Sequence, residues 1–86
     1  MICFKFTMKN KEGMHMKLAG KIVEKAITLE SDIQMRKGRK TGNAKLIFHV
    51  LGLMIKDGEE VELSLSGPKE EEEAEILQKF IEEVIK

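Results

Sequence analysis

The 86-residue sequence is poor in cysteine, proline and aromatic residues: it has one cysteine, one proline, no tryptophan and no tyrosine. Because Cys3 is alone, no disulfide within the chain can hold the fold, which must depend on its core. The first residues lack the basic segment and continuous apolar stretch of a secretory signal peptide. No run approaches the roughly 18 apolar residues that a membrane span needs. These absences favour a reducing compartment, and we expect a cytoplasmic protein without membrane insertion.

Histidine is also scarce, and its spacing excludes the common metal sites. His15 and His49 lie far apart, and neither is followed by a ligand-type residue three or four positions later. The sequence has no glycine-rich phosphate loop and no nucleophile elbow. We therefore expect neither a conventional enzyme active site nor a metal or organic cofactor.

Charge is abundant but balanced. Fifteen basic and fifteen acidic residues give a formal net charge of zero, and 42% of the residues are hydrophobic. This composition is typical of a globular protein, and the length predicts a single domain over residues 1–86. Nothing in the balance of charge indicates nucleic acid as a partner. Any partner must be recognised by a local patch.

The hydrophobic pattern predicts alternating strands and helices. Apolar residues recur with period 2 in the strands and with helical spacing in the helices. The predicted elements are a strand over 2–8, a helix from residue 15 or 16 to 27, a hairpin over 32–42, a strand over 60–65 and a helix that follows Pro68. Residues 46–51 are apolar almost all round, so periodicity alone does not decide between strand and helix. The glutamates at 70–73 are interpreted as a solvated helix start.

The start of the first helix breaks a local rule. Ser, Thr, Asp or Asn usually precedes a helix because its side chain satisfies free N–H groups, but His15 stands there instead. The positive end of a helix disfavours imidazolium, so this imidazole is expected to be neutral and nucleophilic. An accepted phosphoryl group would face the N–H groups of Met16, Lys17 and Leu18 and the Lys17 ammonium.

Around this histidine the sequence resembles the HPr family. The family signature reads approximately Gly-Leu-His-Ala-Arg-Pro-Ala, and residues 13–19 read Gly-Met-His-Met-Lys-Leu-Ala. Residues 10–12 (Asn-Lys-Glu), 31–33 (Ser-Asp-Ile) and 56–59 (Lys-Asp-Gly-Glu) also match common family usage. The resemblance covers nearly the whole chain in order, which makes it far more specific than the short motif alone.

The resemblance implies an α+β fold of the open-faced β-sandwich type. Four antiparallel strands would carry three helices on one face, in the order β-α-β-β-α-β-α. The ambiguous segment at 46–51 would then be a short helix.

The resemblance also implies a phosphocarrier of the bacterial sugar phosphotransferase system rather than a turnover enzyme. Phosphate from phosphoenolpyruvate would pass through enzyme I to Nδ1 of His15, and then to sugar-specific IIA domains. Lys17 would contact the phosphate, together with the backbone of residues 16–18. We expect a monomer. The residues implied in partner docking are Met14, Met16, Ile47, Phe48 and Leu51.

Three positions depart from the family pattern. Lys17 replaces arginine, so the charge remains but the planar, bidentate contact is lost. Leu18 replaces proline, which removes a fixed φ and restores an N–H. Leu46 replaces the serine that a regulatory kinase uses in many members, so no phosphoserine control is expected at this site.

Two other functions compete with phosphoryl transfer. A non-phosphorylated regulatory module could bind partners through the same surface, and its binding would not change in His15→Ala. Nucleic-acid binding at Arg36, Lys37, Arg39 and Lys40 is disfavoured, because the strands lack stacking aromatics. His49 is interpreted as a surface or half-buried helix residue and not as a second phosphorylation site.

Overall fold

The computed structural model describes residues 1–85 and arranges seven elements around one core. The strands are β1 (Ile2–Thr7), β2 (Asp32–Lys37), β3 (Lys40–Asn43) and β4 (Glu60–Ser66). The helices are α1 (Met16–Ile27), α2 (Ile47–Gly52) and α3 (Glu70–Val84). The order β-α-β-β-α-β-α confirms the predicted α+β fold, and the ambiguous middle segment is the short helix α2.

The four strands form one antiparallel sheet in the order β1-β4-β2-β3. The strand β4 lies between β1 and β2, and Leu63 is paired with Phe4 on one side and Met35 on the other. Alternation along β4 buries Val61, Leu63 and Leu65 completely. One face of the sheet therefore carries the core, as the period-2 pattern predicts.

The helices cover this apolar face, and their buried stripes follow helical spacing. The buried residues of α1 are Leu18, Ala19, Ile22, Val23 and Ala26. Ile27, the last residue of α1, is 59% exposed, and Leu29 is buried at this end of the core instead. No helix within residues 1–85 combines the length and apolar character that a membrane crossing requires.

The start of α3 differs from the predicted solvated helix end at one residue. Glu71 and Glu72 are exposed, but Glu73 is only 6% exposed. Its carboxylate accepts hydrogen bonds from the backbone N–H groups of Glu30 and Ser31 and from the Ser31 hydroxyl. Glu73 therefore ties α3 to the connection between α1 and β2.

The helix α2 begins without a side-chain cap. Its N-cap residue is Leu46, which has no polar side-chain atom and is 47% exposed. A serine hydroxyl at this position can accept one of the free N–H groups of the first turn. We expect Leu46→Ser to be about 1 kcal/mol more stable than Leu46→Ala, since both variants lose the leucine and only serine caps. Urea unfolding measures the difference, and equal stability of the two variants would contradict the capping role.

Candidate functional site

A tight turn brings the chain to His15. The Asn10 side-chain oxygen accepts the N–H of Glu12 at 2.9 Å, and the Asn10 carbonyl accepts the N–H of Gly13 at 2.8 Å. Gly13 has a φ of 67°, a left-handed conformation that glycine adopts without a steric penalty. The turn thus fixes the direction in which the chain enters α1.

Met14 anchors this turn to the body of the protein. Its N–H donates to the carbonyl of Ile55 at 2.8 Å, and its side chain is only 8% exposed within the core. Met14 was expected among the docking residues. The structure instead buries its side chain in the core, and its backbone N–H is bonded to the connection between α2 and β4.

His15 is itself the N-cap of α1. Its backbone is extended, with φ −120° and ψ 173°, and its carbonyl accepts the N–H of Ala19 at 2.8 Å, the first hydrogen bond of the helix. Its Nδ1 atom accepts the N–H of Leu18 at 3.4 Å, a long hydrogen bond. In the neutral ring, this contact favours the form in which Nδ1 keeps its lone pair and Nε2 carries the proton. The sequence identified the unusual cap position but not the capping role of the imidazole.

The predicted site residues His15, Lys17 and Leu18 line one cavity. This open cavity has a volume of about 260 Å³, and Asn10, Glu12 and Lys21 add further polar groups to its wall. Within residues 1–85, the ion pairs involve neither lysine of this wall. Both ammonium groups are thus free to attract an anion. Sequence reasoning missed Lys21, although its position four residues after Lys17 puts both on one helix face.

The first backbone N–H groups of α1 follow His15 directly in the chain. No acceptor within the described part of the chain is bonded to the N–H of Met16 or Lys17. Together with Leu18, they are the groups predicted to bind phosphate. A free helix N-terminus next to two lysines is suited to hold an anion.

An apolar surface lies beside this cavity where α1 and α2 pack together. Met16 is 58% exposed and Phe48 is 76% exposed, whereas Ile47 and Leu51 are half-buried against the core. We refer to Met16, Ile47, Phe48 and Leu51 as the apolar surface. Four of the five residues predicted for docking are therefore at least partly accessible, and Met14 is not.

Two further exposed apolar residues flank α2. Leu46 precedes the helix, and Met54, which follows its C-cap, is 61% exposed. Met54 has a φ of 53°, in the left-handed region that glycine usually occupies after a helix. Sequence patterns gave no sign of this backbone conformation, which a methionine adopts only at an energetic cost.

The remaining candidates take structural roles. His49 is exposed on α2, and its Nδ1 accepts the N–H of Asn43 at 3.1 Å, which links α2 to β3. In the hairpin, Arg36 is paired with Glu62 and Lys37 with Glu59, so two of its four cations are already neutralised. Within residues 1–85, no three His, Cys, Asp or Glu side chains are arranged to hold a metal ion.

Comparisons with known proteins agree on one relationship. The family described as "PTS HPr component phosphorylation site" matches residues 2–83 of this chain. The phosphocarrier protein HPr of Lysinibacillus sphaericus is 33% identical over 79 residues, which are 92% of this chain and 90% of that protein. The HPr-like protein Crh of Bacillus subtilis is 31% identical over 85 residues, 99% of this chain and 100% of that protein.

A solved structure extends the similarity to three dimensions. The crystal structure of HPr-C-His from Thermoanaerobacter tengcongensis matches with a TM-score of 0.90 at 34% identity. The match covers 99% of this chain and 96% of that chain. The fold, the order of the elements and the sequence of this chain are therefore all similar to those of HPr proteins.

Proposed function

We propose that this chain, which belongs to the HPr family of phosphocarrier proteins, carries a phosphoryl group on Nδ1 of His15. The observation that carries the proposal is the position of this atom. It accepts the Leu18 N–H, it lies at the N-terminus of α1, and it shares a cavity with Lys17. A neutral nucleophile before transfer and an anion after it are both favoured by this environment.

The transfer is a nucleophilic displacement at phosphorus. The Nδ1 lone pair forms the new N–P bond, the bond between phosphorus and enzyme I breaks, and its electron pair stays with enzyme I. The ring is then cationic, and it returns to the neutral form when the proton on Nε2 leaves to solvent. The N–H groups of Met16 and Lys17 and the Lys17 ammonium then stabilise the phosphoryl oxygens. In the transfer to a IIA domain, His15 is the donor: the N–P bond breaks and its electron pair returns to Nδ1.

Partner docking is assigned to the apolar surface beside the cavity. Phe48 and Met16 are accessible to an apolar patch on enzyme I or on a IIA domain, and methionine adapts to more than one partner. The ammonium groups of Lys17 and Lys21, which form no ion pair with the described residues 1–85, favour a partner with an acidic rim around its own active site. We propose that the protein acts in the cytoplasm as a monomeric carrier, without turnover of its own.

The test is the intact mass after incubation with phosphoenolpyruvate and the host's own enzyme I. One phosphate adduct that is lost in acid is expected for the unmodified protein and none for His15→Ala, because only His15 lies at the N-terminus of α1 in the cavity shared with Lys17. His49→Ala is the matched control and should be labelled normally, since His49 lies on α2, outside the cavity that holds His15 and Lys17. Absence of the adduct while a standard HPr is labelled in parallel would contradict the carrier function.

The alternative function is a regulatory module that binds partners without phosphorylation. The observation in its favour is the similarity over the full length to the HPr-like protein Crh. The apolar surface does not depend on His15, so a partner could bind it in either state. Binding to a host IIA domain that is equal for the unmodified protein and His15→Ala, together with no phosphate adduct, would support this alternative.

A further inference from the structure

The hydrogen bond from Leu18 to His15 assigns a role to a backbone group at the site. We propose that the Leu18 N–H is a positioning group: it holds His15 in the Nε2–H tautomer and transfers its hydrogen bond to a phosphoryl oxygen after phosphorylation. Only the second half of this inference, the transfer of the hydrogen bond to a phosphoryl oxygen, rests on the proposed function. Its first half concerns the unmodified protein and can be tested without any partner.

The Leu18 N–H is held in place and has no competing acceptor within residues 1–85. Leu18 is the third residue of α1, and the first hydrogen bond of the helix comes from Ala19, so the N–H of Leu18 has no partner inside the helix. The Leu18 side chain is only 3% exposed, which fixes this residue in the core. The imidazole of His15, 3.4 Å away at Nδ1, is its acceptor.

This contact selects one of the two neutral forms of the imidazole. A neutral ring has one nitrogen that accepts and one that donates. Since the Leu18 N–H can only donate, it favours the form with the lone pair on Nδ1 and the proton on Nε2. The nucleophilic lone pair is thereby kept on the nitrogen that faces the helix end.

Phosphorylation changes the partner of this N–H. The lone pair that accepts from Leu18 is the one that forms the N–P bond, so the original hydrogen bond is lost when phosphorus binds. The oxygens of the phosphoryl group then lie next to the same N–H. A hydrogen bond to an anionic oxygen is roughly twice as strong as one between neutral groups. The N–H therefore stabilises the phosphorylated protein more than the free protein.

A proline at this position lacks the N–H, and the family signature has proline there. The chain thus offers a matched pair of variants. Leu18→Ala and Leu18→Pro both lose the buried leucine side chain, but only Leu18→Ala keeps the N–H. Proline in the first turn removes no hydrogen bond of the helix, because this N–H has no acceptor within it. The variants then differ in the N–H and in the fixed φ of proline, and the tautomer of His15 reports directly on the N–H.

The first measurement is the ¹⁵N chemical shift of both ring nitrogens of His15 above the pH at which the ring is protonated. The unmodified protein and Leu18→Ala are expected to show an unprotonated Nδ1 and a protonated Nε2. In Leu18→Pro, the resonances should move towards a mixture of both tautomers. A mixture of tautomers already present in the unmodified protein would overturn the positioning role, and this measurement does not require any variant to fold. Equal chemical shifts in the two variants would also overturn it.

The second measurement is the lifetime of the phosphorylated protein prepared with phosphoramidate. Nδ1 attacks phosphorus, the P–N bond of phosphoramidate breaks with its electron pair going to the leaving ammonia, and the ring then gives up its Nε2 proton to solvent. Hydrolysis is expected to be about three- to tenfold faster for Leu18→Pro than for Leu18→Ala, the effect of one hydrogen bond. Equal lifetimes would overturn the second half of the proposal. Failure of labelling by enzyme I with the tautomer contrast intact would contradict the proposed function but not the positioning role.

Discussion

Gly13→Ala is expected to lower the free energy of unfolding by about 3 kcal/mol, as left-handed strain and overpacking add at one residue. Gly13 has a φ of 67°, which a residue with a Cβ atom rarely adopts. A Cβ atom built there would lie within 3.0 Å of two backbone atoms, the carbonyl oxygen of Ile55 and the Cα of Lys56. Backbone atoms cannot rotate away as a flexible side chain can, so the turn itself must move.

The same substitution is expected to disturb the site. The Ile55 carbonyl that the new methyl group would meet is also the acceptor of the Met14 N–H, which fixes the turn immediately before His15. Movement of this turn should displace the imidazole from the helix end. We therefore expect slower labelling of His15 in Gly13→Ala, even at a temperature where the variant is folded. A displacement of about 1 Å is enough to slow such a reaction by about 100-fold.

Gly38→Ala is the matched control for this prediction. Gly38 has a φ of 60°, close to that of Gly13, but a Cβ atom there would meet nothing within 4 Å. This variant should lose only about 1 kcal/mol, the strain of the left-handed conformation, and should be labelled at the normal rate. Urea unfolding and labelling kinetics measure both effects. Equal losses for the two variants would show that the contact with Ile55 has no part in the stability of the turn.

The fold was largely predictable because periodicity reports burial. The alternation of Val61, Leu63 and Leu65 and the helical spacing of Ala74, Leu77 and Ile81 each indicate one buried face, and the structure buries these residues. The segment α2 was ambiguous from its residues because it spans only Ile47–Gly52 and its sequence is apolar almost all round. Such a short element is determined by its packing against α1 and not by its own pattern.

The site was predictable only where it violates a local rule. The missing polar cap identified His15, but no pattern reveals that an imidazole caps the helix through Nδ1. That contact depends on the extended backbone of His15 and the free N–H of Leu18. The burial of Met14 was equally hidden, since a methionine in a loop is compatible with core or surface. Interactions across the fold, such as that between Met14 and Ile55, leave no periodic trace in the sequence.

Glu73→Gln is expected to lower the free energy of unfolding by about 3 kcal/mol, because one oxygen acceptor becomes a donor that faces other donors. Oε2 of Glu73 accepts from Glu30 at 2.8 Å, and Oε1 accepts from the N–H and the hydroxyl of Ser31 at 2.8 and 2.6 Å. Ser31 is completely buried, so water cannot replace a lost acceptor easily. Either orientation of the glutamine amide leaves at least one donor without a partner.

The loss is expected to depend on pH in the acid range. Burial raises the pKa of Glu73, but hydrogen bonds from the Ser31 hydroxyl and from the N–H groups of Glu30 and Ser31 outweigh it, and the pKa lies below the ordinary 4.5. A carboxyl with a lowered pKa in the folded state stabilises the fold above the pKa of the unfolded chain. This stabilisation is lost as the pH falls through the lower, folded value. The stability of the unmodified protein should therefore decrease more steeply below pH 4.5 than that of Glu73→Gln.

Glu71→Gln separates this effect from the general loss of a carboxylate. Glu71 lies on the same helix turn but is exposed and has no assigned hydrogen-bond donor within residues 1–85. Its replacement should change the stability by less than about 1 kcal/mol, through the helix dipole alone. Glu59 remains in both variants and retains part of the acid sensitivity, since the Lys56 N–H and the Lys37 ammonium lower its pKa. Urea unfolding between neutral pH and pH 3 provides the comparison. An equal loss of stability in Glu73→Gln and Glu71→Gln, with the same pH profile, would contradict this role. It would show that the Glu73 carboxylate does not hold α3 to the connection between α1 and β2.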